Sequence, residues 1–230
     1  MAKTPSPISP SQSGTAAPSR RGPGRPAAVD AEAAGQRATL LQAALDCYVR
    51  HGISGTTLRH IAAHAGVTPA TLHYHFGSRD RLLDAVVEEQ LLPALAPMQA
   101  AVQAAGEDVA ASVAALVNGL CAMIQAHPWL PPLWVREVVS EGGALRGLLV
   151  ERIAPTVAQT LAARFAAAQA RGQVNPDLDP RLLMVSLIGL TMFPAAGAPI
   201  WRQVFGADEL GMEDVRMHAL ALLDRGLELK

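Results

Sequence analysis

Four hydrogen-bonding side chains, Thr71, His73, Tyr74 and His75, crowd one short stretch of this 230-residue chain, and none is a strong acid. On the outward face of a helix such groups suit phosphate oxygens and the donor and acceptor edges of bases. Other chemistries fit less well. Five of the seven histidines lie between His51 and His75, and His60 with His64 has the i, i+4 spacing that lets two imidazoles share a metal. No Asp or Glu stands between Asp46 and Asp80 to act as a third ligand, so no metal is expected, and histidines facing solvent beside an anionic partner account for the cluster. The chain has no nucleophile elbow, no P-loop and no dinucleotide fingerprint after a strand. Glu88-Glu89 and Glu107-Asp108 read as solvated helix surfaces. Neither enzymatic activity nor a cofactor is expected.

The elements that must position these residues are punctuated by caps and glycines. A first helix is predicted from Ala33 to His51, with Leu40, Leu41, Ala44, Leu45, Tyr48 and Val49 along its inner stripe and Gly52 as its left-handed stop. Thr57 caps a second helix from Leu58 to Ala65, which turns Leu58, Ile61, Ala62 and Ala65 inward. Gly66 and Val67 make the turn. Thr68 caps a third helix whose first position is Pro69 and whose inner face is Leu72 and Phe76. Gly77 closes it and Ser78 caps a fourth. A helix, a glycine-containing turn and a second short helix make the helix-turn-helix plan, which lays the later helix in a DNA major groove.

The run Thr56-Thr57-Leu58-Arg59-His60-Ile61-Ala62-Ala63-His64-Ala65-Gly66-Val67-Thr68-Pro69-Ala70-Thr71-Leu72-His73-Tyr74-His75-Phe76-Gly77-Ser78-Arg79-Asp80-Arg81-Leu82-Leu83 resembles the DNA-binding region of the TetR family of transcriptional repressors. The resemblance covers about residues 36 to 85. It implies that Arg59, Thr71, His73, Tyr74, His75 and Arg79 face DNA; Thr57, Thr68 and Ser78 at the helix starts complete the expected contact set. It also implies an all-helical, sequence-variable ligand and dimerisation domain after this region. Two positions depart from the family pattern. His73 stands where a Tyr usually follows the buried Leu, and an imidazole reaches less far than a phenol. Arg79 stands where the fourth helix usually opens with Lys, and its guanidinium meets a phosphate more rigidly.

Composition agrees with an all-α chain, since hydrophobic residues make up 50% and aromatics only 4%, without the alternation of a sheet protein. Cys47 and Cys121 stand alone in apolar stretches, which excludes a disulfide framework and suits a reducing compartment. Charge is uneven: residues 1 to 81 carry +5 and residues 82 to 230 carry −6, as expected for a nucleic-acid module fused to something that avoids nucleic acid. Residues 1–32 are expected to be a disordered basic arm, with Lys3, Arg20, Arg21 and Arg25 preceding the first acid, Asp30. Arg20, Arg21 and Arg25 either enter a minor groove or simply solubilise the tail. Met1 to Ser19 lacks an apolar signal core, so a cytoplasmic location is expected. Leu182 to Ile200 is free of charge for nineteen residues, but Gly189, Pro194, Gly197 and Pro199 argue for a helix buried in a bundle rather than a membrane span.

The predicted organisation is therefore a helix-turn-helix domain at 33–80 and a helical effector-binding and dimerisation domain at 81–230. Within the latter, helices are predicted at 79–92, 94–104, 107–126, 133–139, 144–171, 180–206 and 212–229. Pro93, Gly106, the proline-rich segment 127–132, Gly142-Gly143 and 172–179 break them, and Pro155 kinks the longest. Soft and aromatic walls of a ligand cavity are expected from Met123, His127, Trp129, Trp134, Met184, Leu187, Met192 and Phe193, with Arg136 or Glu137 orienting a polar end. The same residues would also serve as plain core. A homodimer through residues 180–229 is expected, because Leu182, Leu183, Val185, Leu187, Ile188 and Leu190 are apolar all round one helix, and Val215, Ala219, Leu222, Leu223 and Gly226 stripe the next. The resulting expectation is a repressor released from its operator by a small apolar or amphipathic effector; the alternative is a ligand-independent architectural or cell-cycle DNA-binding protein.

Overall fold

Hydroxyl caps set the start of each short N-terminal helix. In a computed structural model, which describes residues 27–227, Thr57 is extended and its Oγ1 accepts from His60 N at 3.2 Å, opening α2 (Leu58–His64). Thr68 Oγ1 accepts from Thr71 N and opens α3 (Pro69–Phe76); Ser78 Oγ accepts from Arg81 N and opens α4 (Arg79–Val86). Before them, α1 (Ala27–His51) begins six residues earlier than the predicted Ala33, because Ala, Glu and Ala sustain a helix that composition assigned to the arm. Residues 1–26, including Arg20, Arg21 and Arg25, lie outside the described residues, as do 228 and 229 of the predicted last helix.

The remaining helices are α5 (Leu92–Ala104), α6 (Val109–Ala126), α7 (Leu130–Trp134), α8 (Arg146–Leu148), α9 (Ala154–Ala170), α10 (Pro180–Phe205) and α11 (Met212–Leu227). Among the described residues there is no strand. Prolines predicted to interrupt helices are accommodated instead. A π-helical turn, Val87–Leu91, carries α4 into α5 and ends with Leu92 N bonded five residues back to Val87 O, just before Pro93. A second, Leu149–Ile153, ends with Ala154 N on Leu149 O, just before Pro155. In both places the register slips where the next residue has no N–H to give. Pro131 and Pro132 likewise do not break a helix. They occupy the first turn of α7, where missing donors cost nothing. A third π turn, Val135–Val139, follows α7.

The core centres on α6, whose Val113, Leu116, Val117, Leu120, Cys121 and Ile124 are buried and which packs against α5, α9, α10 and α11. Buried Arg164 on α9 donates to Val102 O at 2.7 Å and Ser112 Oγ at 3.0 Å, tying α9 to α5 and α6. Helices α6 and α10 are each long and apolar enough to cross a bilayer. Half of the α6 segment is buried in this core, and α10 buries Leu183, Leu187 and Thr191 along one face. The described residues from 37 to 227 belong to one compact unit.

Candidate functional site

The helix-turn-helix geometry comes from α2, the turn and α3. Gly66 turns the chain at φ +68°, and Leu72 and Phe76 anchor α3 on the core. With that face pinned, the opposite face is exposed: Tyr74 is 86% exposed and His73 is exposed beside it, while Thr71 and His75 are half-buried at the edges. Tyr74 meets His75 edge to face at 5.4 Å. Thr57, Thr68 and Ser78 spend acceptor lone pairs on their caps but sit exposed with Arg59 on the same region. Arg37, which sequence reasoning missed, holds α3 from behind. Its guanidinium lies 4.6 Å over the Phe76 ring and donates to the Glu89 carboxylate and to His75 O. No local motif flags such a residue, since its partners lie 38 and 52 positions away.

Arg79 departs from its expected place. It is half-buried, and its Nη2 donates to Ile53 O in the loop between α1 and α2, so the guanidinium is turned into the protein. The histidines also resolve individually: His64 Nε2 sits 3.4 Å from Asp46 Oδ2, and among the described residues no group of three or more His, Cys, Asp or Glu is placed to share a metal.

A cavity of about 300 Å³ opens among α5, α6, α7, α9 and α10. Met123, Trp134, Met184 and Met192 line it, as expected. Six other expected residues do not. His127 packs on Trp129 at 5.4 Å, outside the cavity. Leu187 is wholly buried on another face of α10, and Phe193 is 73% exposed. Arg136 Nη1 donates to Val49 O at 3.0 Å, near the end of α1. Glu137 is 4% exposed; its Oε1 accepts from Ile53 N at 2.9 Å and its Oε2 from Ala144 N at 3.2 Å. The polar pair thus bonds to Val49 and Ile53 beside the helix-turn-helix instead of lining the cavity. Met98, which was missed, lines the cavity, and Gly119 makes room for it: a Cβ there would lie 2.8 Å from Met98 Cγ.

On α10, residues four apart separate into faces. Leu183, Leu187 and Thr191 are core; Met184, Ile188 and Met192 line the cavity; Leu182, Val185, Phe193, Ile200 and Val204 are exposed. Val185 borders both of the last two.

Residues 40–86 match the family model of bacterial regulatory proteins, tetR family. The HTH-type transcriptional regulator SrpR of Pseudomonas putida is 38% identical over 63 residues. The likeness to the tetR family rests on this region. That match covers 27% of this chain and spans only 30% of the curated relative's length. The fold extends further than the sequence likeness. The ketosteroid transcriptional regulator KstR2 of Mycobacterium tuberculosis superposes with a TM-score of 0.65 at 20% identity, covering 85% of this chain and 95% of that one. The fatty acid degradation regulator FadR of Bacillus halodurans gives 0.61 at 19% identity, covering 85% and 97%. Within the matched region, the loop between α1 and α2 is held from two sides: Ile53 gives its N–H to Glu137 and its carbonyl to Arg79.

Two outcomes follow for the isolated protein. Arg79→Ala should cost about 1.5–3 kcal/mol, the range for hydrogen bonds to charged groups. Thermal melting should show the loss, whereas exposed Arg59→Ala should melt within about 0.5 kcal/mol of the parent; equal melting of the two variants would mean that the Arg79 bond contributes nothing. Glu137→Gln places an amide N–H₂ where one acceptor stood. Exchange of the Ile53 amide hydrogen should then accelerate by roughly 5- to 150-fold, and an unchanged rate would show that Glu137 does not hold this loop.

Proposed function

We propose that this chain is a homodimeric repressor that reads a specific DNA operator through α3 and leaves it when a small apolar or amphipathic effector occupies the cavity. The observation that carries the reading is the polar, acid-free α3 face with Tyr74 standing 86% exposed, on a helix-turn-helix within the matched family region. Residues 33–80 would form the reading head and 81–230 the sensing and dimerising part. Arg59, Thr71, His73, Tyr74 and His75 would meet DNA directly. Arg79 would act mainly by placing the loop before α2, and the arm with Arg20, Arg21 and Arg25 would reach the minor groove. The regulator would work in the cytoplasm.

Two connections support release by an effector. Trp134 and Val138 line the cavity on the same short stretch as Arg136 and Glu137, which grip Val49 and Ile53. Leu91 lines it from the π turn that carries Glu89, the partner of Arg37 behind α3. Filling the cavity would press on both, and a coupling of ~1–3 kcal/mol is typical of such linkage. The exposed apolar face of α10, with Met217 and Leu222 of α11, supports the dimer. Twofold pairing would place two α3 helices in successive major grooves, so the operator should be a near-palindrome with half-sites ~34–36 Å apart or a multiple of that.

Gel-shift titration against operator and random DNA tests the DNA assignment. Tyr74→Ala should cost about 1–3 kcal/mol mainly at particular bases, and Arg59→Ala should weaken all sequences and reduce the salt slope by about one. Equal affinity for operator and random DNA would refute it. An effector-blind protein that still binds its operator would favour the architectural reading.

Sedimentation tests the dimer. The parent should run at twice the chain mass, and Phe193→Glu with Ile200→Glu should bring it to the chain mass and weaken operator binding. Leu187→Arg would not be diagnostic, because Leu187 is buried within its own chain and a charge there would unfold it. A double variant that stays dimeric would place the interface elsewhere.

A further inference from the structure

We infer that the cavity's occupant is an uncharged aromatic hydrocarbon the size of two fused rings; this rests on the effector reading above and narrows it. The walls decide charge. Every lining residue is Leu, Ile, Val, Ala, Met or Trp, without a hydroxyl, amide, carboxylate or cationic side chain among them. Charged groups close in sequence to the wall are engaged elsewhere: Glu137 with two backbone N–H groups, Arg136 with Val49 O, Arg146 with the carbonyls of Val138, Val139 and Ser140, and Arg152 with Glu88. A carboxylate entering this space would lose its water and find no cation or donor cluster in exchange. The walls thus favour a wholly apolar occupant over an amphipathic one, in contrast to the sequence-based expectation that Arg136 or Glu137 would receive a polar end.

Volume decides size. An apolar cavity of about 150 Å³ holds one benzene ring, and this one is about 300 Å³. Two rings fit where one would rattle.

The thioethers decide shape and class. Met98 of α5, Met123 of α6, and Met184 and Met192 of α10 face the same space as the Trp134 indole of α7. Sulfur packs favourably against the edge of an aromatic ring, and an indole offers an offset or edge-to-face partner. An aliphatic chain gains neither. Because methionine is unbranched, four of them also let the wall adapt to differently substituted rings without opening a polar site.

The test uses the full-length protein with naphthalene, 2-naphthol, 2-naphthoate and n-decane, followed by calorimetric titration and thermal melting. Naphthalene should bind saturably and raise the melting temperature. 2-Naphthol should bind roughly 5- to 150-fold more weakly, as for a polar group left unpaired, and 2-naphthoate should be weaker again. n-Decane should bind more weakly than naphthalene. Ala158→Phe and, separately, Val138→Phe project a ring into the cavity and should each abolish naphthalene binding; two independent fillings guard against one that misfolds. Binding of 2-naphthoate or n-decane as tight as that of naphthalene, or no saturable naphthalene binding by a protein that still retards its operator, would overturn the assignment. Naphthalene that binds as expected but leaves the operator complex intact would support the ligand class and overturn release by an effector.

Discussion

A buried carboxylate holds the two ends of this molecule's chemistry together. Glu137 lies almost fully out of water, and its two oxygens are satisfied by backbone N–H groups from opposite directions, Ile53 in the loop before α2 and Ala144 in the turn after its own helix. Losing either donor would leave a buried oxygen unpaired, at a cost of about 1–3 kcal/mol. The surrounding backbone is shaped to allow it. Gly52 has φ +78°, and a Cβ there would come within 3.1 Å of Glu137 Oε1; at Gly143 a Cβ would lie 2.4 Å from Glu137 O. Both glycines are thus explained by one residue, by its side chain at Gly52 and its backbone at Gly143, and the loop that begins the helix-turn-helix inherits its place from a residue more than eighty positions away.

The cavity has an equally specific origin. Prolines at 93, 131, 132 and 155 stand in or beside the elements that wall it, and the chain absorbs them through π turns and a proline-led first turn rather than through loops. Helices whose register slips keep their apolar faces turned inward while failing to interdigitate fully. The space is bounded by hydrocarbon, thioether and one indole, and several charged side chains on these stretches are drawn to other partners. Glu89 goes to Arg37, Arg152 to Glu88, and Arg136 to Val49 O. The π turn 87–91 thereby serves both sides, with Leu91 on the cavity and Glu89 on the arginine that backs Phe76.

Much of the N-terminal region was legible in the sequence because its determinants are local. Thr57, Thr68 and Ser78 cap helices within three residues of themselves, Gly66 and Gly77 need only their own φ, and Leu72 and Phe76 lie one helical turn apart, which leaves Tyr74 outward. The all-α class and the last long helices follow from composition and periodicity in the same way. Proline was over-read as a breaker, since its missing N–H is harmless at a helix start or after a register slip.

What tertiary structure alone decided is which partner each long-range polar group found. Arg37, Arg79, Arg136 and Glu137 look alike in sequence as solvent-seeking charges, yet each bonds to a group between 26 and 87 positions away. The three faces of α10 were equally hidden: an all-apolar run reads the same whether a residue meets core, cavity or the surface, as Leu187, Met192 and Phe193 do. Local chemistry sets caps, turns and the reading face because those interactions close within a few residues. The assignment of charge and apolar surface across the molecule requires the folded chain, because burial leaves each polar group only the partners that packing brings within reach.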